Sequence, residues 1–488
     1  MSVRTNAKAL LMTFGAALAL SACGSGADDV VSPGVPAAPP PPPAPAPAPA
    51  PAPTPTPGDQ AAASCPDGTV SQGTIANNTL RACRLPSTIL GDLILKQVDG
   101  VAYQIQGQVN VGEDQLGDSA VNDPAKRGRL YIEPGVTLFG ESGPDVLLVQ
   151  RGSQIHALGT REAPIVFTSR ADLEGNGAKF DWAGVVLMGR APINNCIGSA
   201  TPGSANCQGA VEGTSNAFGG GNNPADSSGE LSYVQVRYSG YVLGAGNELQ
   251  SLTLVGVGSG TRISHFQSHY SGDDGIEIFG GTVNLSHIVI TEADDDSLDT
   301  DWGWNGGIQH GLVVRKTPSV KGVSDSGSIF EWSAVDRTPT STPKVSNFTV
   351  YTTDPSLDSL VKVNQGTQAH VWNSVLVTAP ASANQKQADV CFDVSGTGTT
   401  IELLANHFSC DKRDKNATTT TYVDAADKTG TVFAASTLGA DYVNGANEAA
   451  VTPVAVNAKH GFFQDVDYIG AAKDANGAWW TGWTVGLD

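Results

Sequence analysis

Two short patterns recur at a shared 22-residue interval, and this repeat constrains the fold more than any other feature of the chain. Four strings share an apolar residue at the first position, and three of them carry His at the third; they begin at Leu231, Ile263, Leu285 and Ile308. Their starts lie 32, 22 and 23 residues apart, and the 32-residue step is one unit that carries an insertion. Independently, Asp273-Asp274-Gly275 recurs as Asp295-Asp296-Ser297. A unit of this length, made of short apolar runs broken by Gly, Asn and Asp, has room for three short strands. Successive units then stack at the ~4.8 Å spacing of neighbouring strands.

We therefore predict an all-β fold, a single-stranded parallel β-helix (solenoid) with loop insertions. A leucine-rich repeat has a similar period, but its Leu and Asn consensus is missing. Composition agrees, since 57 glycines and only 16% charged residues are typical of a turn-rich β protein. The insertions are expected at residues 194–230, 244–258 and 406–429, and the aromatic segment 461–483 is expected to close the end of the coil.

Several further strings carry a family resemblance that covers most of the chain after residue 58. They are Ile132-Glu-Pro-Gly-Val-Thr, Pro164-Ile-Val-Phe-Thr-Ser, Gly272-Asp-Asp-Gly-Ile-Glu and Asp467-Tyr-Ile-Gly-Ala. These resemble the rungs of right-handed pectate-lyase-like β-helices and of a large group of bacterial surface β-helix proteins, many of them lipoproteins. The resemblance implies right-handed winding and a place at the cell surface, and it implies no particular activity.

The N-terminus has the pattern of an export signal. Arg4 and Lys8 precede an apolar run, residues 9–20, that is too short to cross a bilayer. The run ends in Leu20-Ser21-Ala22-Cys23, which resembles the lipobox of bacterial lipoproteins. The resemblance implies acyl chains, palmitate among them, on Cys23, and Gly24 after it implies sorting to the outer membrane. Several acyl chains on one residue suffice for stable membrane attachment.

The predicted organisation has three parts. Residues 1–22 form the signal peptide, residues 23–58 carry the lipidated cysteine and a Pro/Ala-rich linker, and residues 59–488 form the β-helix with a cap at each end. A linker of this composition favours extended polyproline II and acts as a semi-rigid spacer.

Six cysteines follow Cys23, and they fall into three pairs of close sequence neighbours. Proximity favours three local disulfides: Cys65 with Cys83, Cys196 with Cys207, and Cys391 with Cys410. Disulfides agree with an exported protein. No Cys-x-x-Cys is present, so zinc and redox chemistry have little support.

The repeated aspartates give the strongest candidate site. In a 22-residue coil Asp273 lies under Asp295, and two carboxylates ~4.8 Å apart repel by roughly 3 to 4 kcal/mol at an effective dielectric of 20. Two interpretations stay open: a hydrated ladder of turn aspartates, or a calcium site with oxygen ligands. The candidate metal ligands are Asp273, Asp274, Asp295, Asp296 and Asp299, and the only cofactor expected is Ca²⁺. Asp294 and Asp301 flank the run.

Candidate ligand contacts surround these aspartates in the sequence. Tryptophan faces beside carboxylates can stack against sugar rings, although core packing explains tryptophans equally well. Histidines recur at nearly the same interval, at His265, His287 and His310. They can form a stacked ladder, and each is also a possible base. The predicted ligand-binding residues are Glu277, Trp302, Trp304, His287 and His310; Trp332 and Trp372 follow in later rungs.

Catalytic residues are not assigned, because neither catalytic interpretation finds a complete set. A glycoside hydrolase would pair the aspartates with His310-Gly311 and Arg413-Asp414-Lys415, which lie far apart in the sequence. A calcium-dependent polysaccharide lyase would need a basic side chain near the metal. Nothing in the sequence singles out one of the arginines available for that role, Arg237, Arg315 and Arg337.

Charge limits the partners. With 28 basic against 48 acidic residues and a net charge of −20, the chain offers no basic face for nucleic acid. We predict a non-catalytic lipoprotein anchored in the outer membrane, exposed at the cell surface, that presents a β-helix for polysaccharide binding, adhesion or envelope organisation. A lyase or hydrolase acting on acidic polysaccharide is the alternative, and a role as partner of an outer-membrane protein stays open.

Overall fold

The computed structural model describes residues 60–244, 247–320, 327–379 and 390–487. The predicted signal peptide, lipidated Cys23 and linker lie outside the described residues. Within the described part, no helix is long and apolar enough to cross a membrane.

Strands make up most of the regular structure. In chain order they are β1 (Val70–Ile75), β2 (Leu80–Arg84), β3 (Thr88–Ile89), β4 (Gly91–Leu95), β5 (Val101–Ile105), β6 (Gln108–Val111), β7 (Gly128–Ile132), β8 (Thr137–Gly140), β9 (Gly143–Val149), β10 (Gln154–Leu158), β11 (Ile165–Ser169), β12 (Trp182–Met188), β13 (Gly209–Ala210), β14 (Phe218–Gly219), β15 (Gly229–Arg237), β16 (Tyr241–Gly244), β17 (Asn247–Leu249), β18 (Leu252–Val255), β19 (Arg262–His269), β20 (Ile276–Phe279), β21 (Asn284–Thr291), β22 (Leu298–Asp301), β23 (Gly307–Arg315), β24 (Phe330–Trp332), β25 (Lys344–Thr352), β26 (Val361–Val363), β27 (Gln368–Trp372), β28 (Val375–Thr378), β29 (Val390–Val394), β30 (Thr400–Leu404), β31 (His407–Ser409), β32 (Lys412–Asp414) and β33 (Val432–Phe433). The helices are α1 (Arg170–Leu173), α2 (Ala417–Ala425) and α3 (Ala446–Ala449), with a 3₁₀ turn at Ala475–Gly477.

The chain winds through two sheets, one of 18 strands and one of 11, in which all pairs are parallel except β1 with β2. From β18 to β25 it passes from one sheet to the other at each strand, so that Ile263, Leu285 and Ile308 are direct neighbours in the large sheet. Leu252, Ile276 and Leu298 are neighbours in the small sheet. The predicted parallel β-helix and its 22-residue rung are confirmed.

A column of left-handed residues bends the large sheet and divides each of its long strands into two segments, which gives the three segments per rung that the repeat predicts. The column contains Tyr233, His265, His287, His310, Asn347, Asn373 and Ala405, with φ between 47° and 64°. Asn tolerates this conformation because its short side chain hydrogen-bonds locally, whereas His is an uncommon choice. The histidine ladder is thus a corner of the solenoid.

Inward-facing residues of all rungs form one continuous apolar core. Trp304, Trp332, Phe330 and Phe348 are each no more than 1% exposed. Full burial of a side chain of this size stabilises a protein by roughly 1.5–3 kcal/mol. Core packing therefore explains Trp304, Trp332, Phe330 and Phe348, which follow the acidic repeat in the sequence.

The ends and insertions of the coil carry the three predicted disulfides, all of which are confirmed. At the N-terminal end, Cys65 is bonded to Cys83 beside the antiparallel pair β1–β2. The insertion at 194–230 holds Cys196–Cys207 and the hairpin β13–β14. The insertion after β15 is the hairpin β16–β17.

The predicted excursion at 406–429 is wrong in part. Strands β31 and β32 continue the two sheets, and the chain then forms α2, whose buried Thr419 and Val423 face the last rung. The Asn416 side chain begins this helix by accepting the N–H of Thr419 at 3.0 Å. Helix α2 therefore covers the C-terminal end of the core.

The aromatic C-terminal segment does not close the coil, so that prediction is wrong. Residues 451–487, which we call the C-terminal strap, run back along the outside of the large sheet. Outward amides of successive rungs bond its backbone: Asn373 to Val454 at 2.9 Å, Gln309 to Gln464 at 2.7 Å and Gln267 to Val485 at 2.7 Å. These side chains supply the strap with hydrogen bonds that a neighbouring strand would otherwise provide.

Candidate functional site

The outward face of the small sheet carries a row of carboxylates. Glu277 on β20 is the direct neighbour of Asp299 on β22, and Asp299 is the direct neighbour of Glu331 on β24. Residues alternate between the two faces of a strand, so that Ile276 and Leu298 point into the core and these carboxylates point away from it. The next residue of the row is Lys362, which bonds Glu331 at 2.7 Å.

The repeated aspartates precede these strands and occupy the turns. Asp274 Oδ1 accepts the backbone N–H of Asp296 at 2.8 Å, and Asp296 Oδ1 accepts the N–H of Ser328 in the next rung. Stacking of the repeat is thus observed, and it forms part of the turn ladder that the sequence suggests. Asp273 Oδ2 accepts a hydrogen bond from the Gln250 amide at 3.2 Å.

Two groups of carboxylates have the proximity that a cation requires. In one group Asp273, Asp274 and Asp295 each place an oxygen within 4.8 Å of the others, and in the second Asp274, Glu277 and Asp299 do so. Asp274 belongs to both groups and lies at their centre. We call these five residues the acidic cluster. Asp296, also predicted as a ligand, belongs to neither group because its carboxylate is turned to the backbone of Ser328.

The electrostatics of the acidic cluster are unfavourable without a counter-charge. Burial raises the pKa of Asp273, Asp274, Glu277 and Asp299 well above the ordinary range, and the neighbouring carboxylates raise it further. Burial also raises the pKa of Asp301 to about 6. Among the described residues, no lysine or arginine forms an ion pair with Asp274, Glu277 or Asp299.

The donor set fits a hard divalent cation. Every ligand is a carboxylate oxygen, which is the kind of ligand that calcium prefers. Asp299 Oδ1 is buried and has no hydrogen-bond partner among the described residues, so it is available to a metal. Asp273, Asp274 and Glu277 are only 5–7% exposed. A cation at this position would be largely enclosed by protein.

The remaining aspartates of the run have separate roles. Asp294 is fully buried and pairs with Lys179 at 2.6 Å, and its carboxylate also accepts the N–H of Val320. Asp301 accepts the N–H of Trp302 at 2.7 Å. Both arrangements hold turns in place.

Ligand contact by Trp304 is a wrong prediction, because the side chain lies in the core and its Nε1 donates to the carbonyl of Val283 at 3.1 Å. Trp332 and Trp372 are likewise buried. Trp302 alone among these four is partly exposed; its ring packs on Phe279 at 4.5 Å, beside Asp301.

His287 and His310 are not part of the acidic cluster. They lie on the large sheet in the left-handed column, with ring centroids 4.9 Å apart, whereas Glu277 is on the small sheet. The ladder begins with Tyr233 stacked on His265 at 4.3 Å, and Trp479 of the C-terminal strap packs edge-on against His287. The predicted ladder is present, but it is covered.

None of the arginines considered for catalysis offers an unengaged guanidinium beside the acidic cluster. Arg315 is fully buried; it pairs with Asp354 at 2.7 Å and donates to the backbone carbonyls of Asp294 and Asp295, so that its guanidinium is fully used. Arg337 donates to Asn195, and Arg413 pairs with Asp414 and Asp424 near the C-terminal end. Arg237 ends a strand of the large sheet and donates to Gln235.

Two acidic residues near the acidic cluster escape the sequence pattern. Glu331 lies one rung beyond Asp299, but that rung carries a longer turn, so the 22-residue period does not reach it. Glu248 lies on β17 in an insertion and raises the pKa of Asp273 through charge repulsion. The apolar-acidic-apolar string Phe330-Glu331-Trp332, similar to Ile276-Glu277-Ile278, is the signal that could have identified the first.

A comparison with protein families gives one match. The sequence model described as a pectate-lyase-like beta helix domain matches residues 116–484. No curated protein and no solved structure matches the chain.

Proposed function

The chain belongs to the family of pectate-lyase-like β-helix domains, and from this premise we propose that it is a lipid-anchored surface protein that holds Ca²⁺ in the acidic cluster and binds acidic polysaccharide without cleaving it. The proposal places it in the outer membrane, attached through Cys23, with the β-helix held away from the lipid by the Pro/Ala-rich linker. Calcium would neutralise the cluster and present a positive site to an anionic glycan.

A single observation carries the proposal: Asp274 joins two groups of buried carboxylates, and no lysine or arginine in the described ranges forms an ion pair with Asp274, Glu277 or Asp299. Charges buried in this way are stable only when they are neutralised by protons or by a cation. A divalent metal satisfies several carboxylates at once and leaves the fold unchanged.

A lyase or hydrolase is the second candidate, and the family supports an action on polysaccharide. Lyase chemistry needs a base beside the metal-bound sugar, and hydrolase chemistry needs an acid with access to the substrate. The Arg315 guanidinium is taken up by its ion pair with Asp354 and by the carbonyls of Asp294 and Asp295, and the histidine ladder lies on the other sheet. These placements favour binding over cleavage.

The partly exposed edge of Trp302 is the natural contact for a sugar ring. It directly follows Asp301, which lies on the same strand as Asp299. A pyranose face can stack on the indole while its carboxylate or hydroxyls reach the metal. The glycan site would thus combine one aromatic ring with one bound cation.

Binding of acidic polysaccharide is expected to require both calcium and Trp302. The purified protein in detergent is tested against polygalacturonate, alginate and neutral dextran, with millimolar Ca²⁺ or with EDTA. We expect an acidic polymer to be retained in calcium only, and W302A to weaken retention about ten-fold, the effect of ~1.4 kcal/mol. The matched control is F462A, which removes an exposed aromatic ring of the strap. Equal retention in EDTA, retention of dextran alone, or shortening of the polymer would refute the proposal.

The anchor is expected to depend on one thiol. Replacement C23S removes the atom that carries the lipid, so palmitate labelling is expected to be lost and the protein to leave the outer-membrane fraction. On intact cells, added protease is expected to degrade the β-helix of the wild type. Labelling that persists in C23S, or protection from protease until the outer membrane is broken, would contradict the anchor or its outward orientation.

A further inference from the structure

A cavity of about 390 Å³ lies near the N-terminal end of the solenoid, on the outer face of the large sheet. It is remote in topology from the acidic cluster, which lies on the small sheet. Val166 shows on which face the cavity lies. Its neighbour Phe167 belongs to the core, and successive side chains of a strand point to opposite faces, so the Val166 side chain points outward from β11 into the cavity. The volume falls within the range of about 300–1,000 Å³ that is typical of small-molecule sites.

Arg237 lines this cavity with an incompletely used guanidinium. Its Nε and Nη2 both donate to the same atom, Gln235 Oε1, and the Gln235 amide is held by the carbonyl of Trp483 in the strap. Among the residues that the structure describes, no carboxylate forms an ion pair with Arg237, and none accepts a hydrogen bond from Nη1. Burial lowers the pKa of Arg237, yet an arginine of this kind stays charged at neutral pH.

A second charged group lies in the same cavity. Asp172 on α1 is close enough to interact electrostatically with Arg237, but the two do not form an ion pair. Asp172 Oδ2 accepts the hydroxyl of Thr168 at 2.7 Å, which fixes the side chain. The cavity thus holds a donor and an acceptor that are separated. The apolar part of the lining is formed by Leu80, Val98, Val166 and Leu173, together with Val101 and Val136 of the core, and the remaining polar residues are Lys96, Gln97, Asp99, Tyr103, Thr137 and Thr168.

These features together describe the chemistry of an occupant. The Arg237 guanidinium is only partly exposed to water, and it gains from an anionic group that it can hold through two N–H donors. The apolar wall favours a hydrocarbon part, since its burial removes apolar surface from water. A carboxylate acceptor opposite the guanidinium favours a hydroxyl or ammonium group next to the ligand's acid group.

We propose that this cavity binds a small organic acid whose carboxylate pairs with Arg237, whose neighbouring hydroxyl or amine donates to Asp172, and whose apolar side chain packs against Leu80, Val166 and Leu173. Lys96 and Asp99 also line the cavity. The site is independent of the proposed glycan function, because the two sites share no residue.

The test uses three probes of one shape on the purified full chain in detergent. They are 2-hydroxy-4-methylpentanoate, 4-methylpentanoate and the neutral 4-methylpentanamide, titrated by calorimetry up to about 10 mM, enough to detect a millimolar Kd. The hydroxy acid is expected to bind most tightly, the plain acid next, and the amide at least about ten-fold more weakly than the acid. Absence of binding by either acid, or an amide within three-fold of the acid, would overturn the proposal.

Two variants locate the binding. R237Q keeps a polar side chain and is expected to reduce affinity for the acids to that of the amide, whereas V166F keeps the arginine and fills the cavity. The control R129Q removes one exposed positive charge from β7, where Arg129 faces Asp92 at 3.5 Å, and is expected to bind as the wild type. If R237Q does not fold by circular dichroism, V166F decides alone: wild-type affinity in V166F would overturn the site.

Discussion

Millimolar calcium is expected to raise the unfolding temperature of the protein at pH 7.5, and the D274N variant is expected to lose that response. A ligand at a hundred times its Kd stabilises the folded state by about 2.7 kcal/mol. Asp274 is the carboxylate shared by both groups of the acidic cluster, so that its neutralisation impairs both. Asparagine keeps an oxygen that can accept the N–H of Asp296, and the turn is therefore retained. Differential scanning calorimetry in calcium and in EDTA measures the effect.

In EDTA, the expected effect of D274N on stability has the opposite sign. Without metal, D274N is expected to be more stable than the wild type, because it removes a buried charge from among its neighbours. One pair of carboxylates at ~4.8 Å repels by roughly 3 kcal/mol at an effective dielectric of 20. The control D393N neutralises a carboxylate farther along the same sheet that already pairs with Lys415. If D274N responds to calcium as the wild type does, or if calcium stabilises D393N no better than D274N, the acidic cluster is not the site.

The pH dependence of the acidic cluster follows from the same charges. Asp273, Asp274, Glu277 and Asp299 have a pKa that is raised in the folded state, so the folded protein binds more protons than the unfolded chain at pH values above the ordinary range for Asp and Glu. Stability therefore rises as the pH falls into the window between the folded and the ordinary values, when metal is absent. Calcium reduces this dependence because it replaces the protons.

The sequence predicts the architecture because the fold repeats its local chemistry. Rungs with short turns, such as those at Ile263, Leu285 and Ile308, preserve the 22-residue interval, and stacking follows from it. The interval fails where turns lengthen: Glu331 stands beside Asp299 although a longer turn separates the two in the sequence. The strap cannot be predicted in this way, since Gln464 bonds Gln309 across 155 residues with no repeated pattern between them.

Side-chain orientation limits the prediction of the site. Asp273 and Asp295 are recognised because their repeat places them in equivalent turns, and a turn position fixes the direction of a short side chain. Trp302 and Trp304 look equivalent in sequence, yet one is partly exposed and the other is fully buried. Strand β22 ends at Asp301, and the positive φ of Trp302 and Gly303 turns the chain between the two tryptophans, so that strand alternation does not apply to them. The cavity at Arg237 is lined by five segments that are separated in the sequence, so no local pattern predicts it.

Acidification is expected to release the C-terminal strap, through the histidine ladder beneath it. Burial lowers the pKa of His265 to about 4, of His287 to about 3 and of His310 to about 4. Trp479 and Trp483 of the strap pack edge-on against His265, and Arg161, Tyr468 and the adjacent histidines are the other polar groups facing the ladder. Protonation would place positive charges one above another under an apolar cover.

The sign of this dependence is opposite to that of the acidic cluster. The unfolded chain protonates histidine near pH 6.5, whereas the folded ladder stays neutral to about pH 4, so the unfolded state binds more protons between these values. Stability of the strapped form is complete above pH 6.5 and is lost as the pH falls towards 4. Each histidine that stays neutral in the folded state lowers the free energy of unfolding by up to about 1.4 kcal/mol for every pH unit of acidification in this range.

The H287N variant tests whether protonation of the histidine ladder releases the strap. Asparagine occupies the same left-handed column at positions 347 and 373, and it tolerates the φ of 56° at residue 287 without titrating. We expect tryptophan fluorescence and limited proteolysis of the strap to change at a pH below 6 in the wild type, and at a lower pH in H287N. The control H156N removes a histidine that stacks on Tyr131 away from the strap, and its transition is expected to match the wild type.

Because the acidic cluster grows more stable over the same pH range, the strap is expected to detach while the rungs beneath it stay folded. Loss of the whole β-sheet signal together with the strap, or an unchanged transition in H287N, would show that the ladder does not control its release.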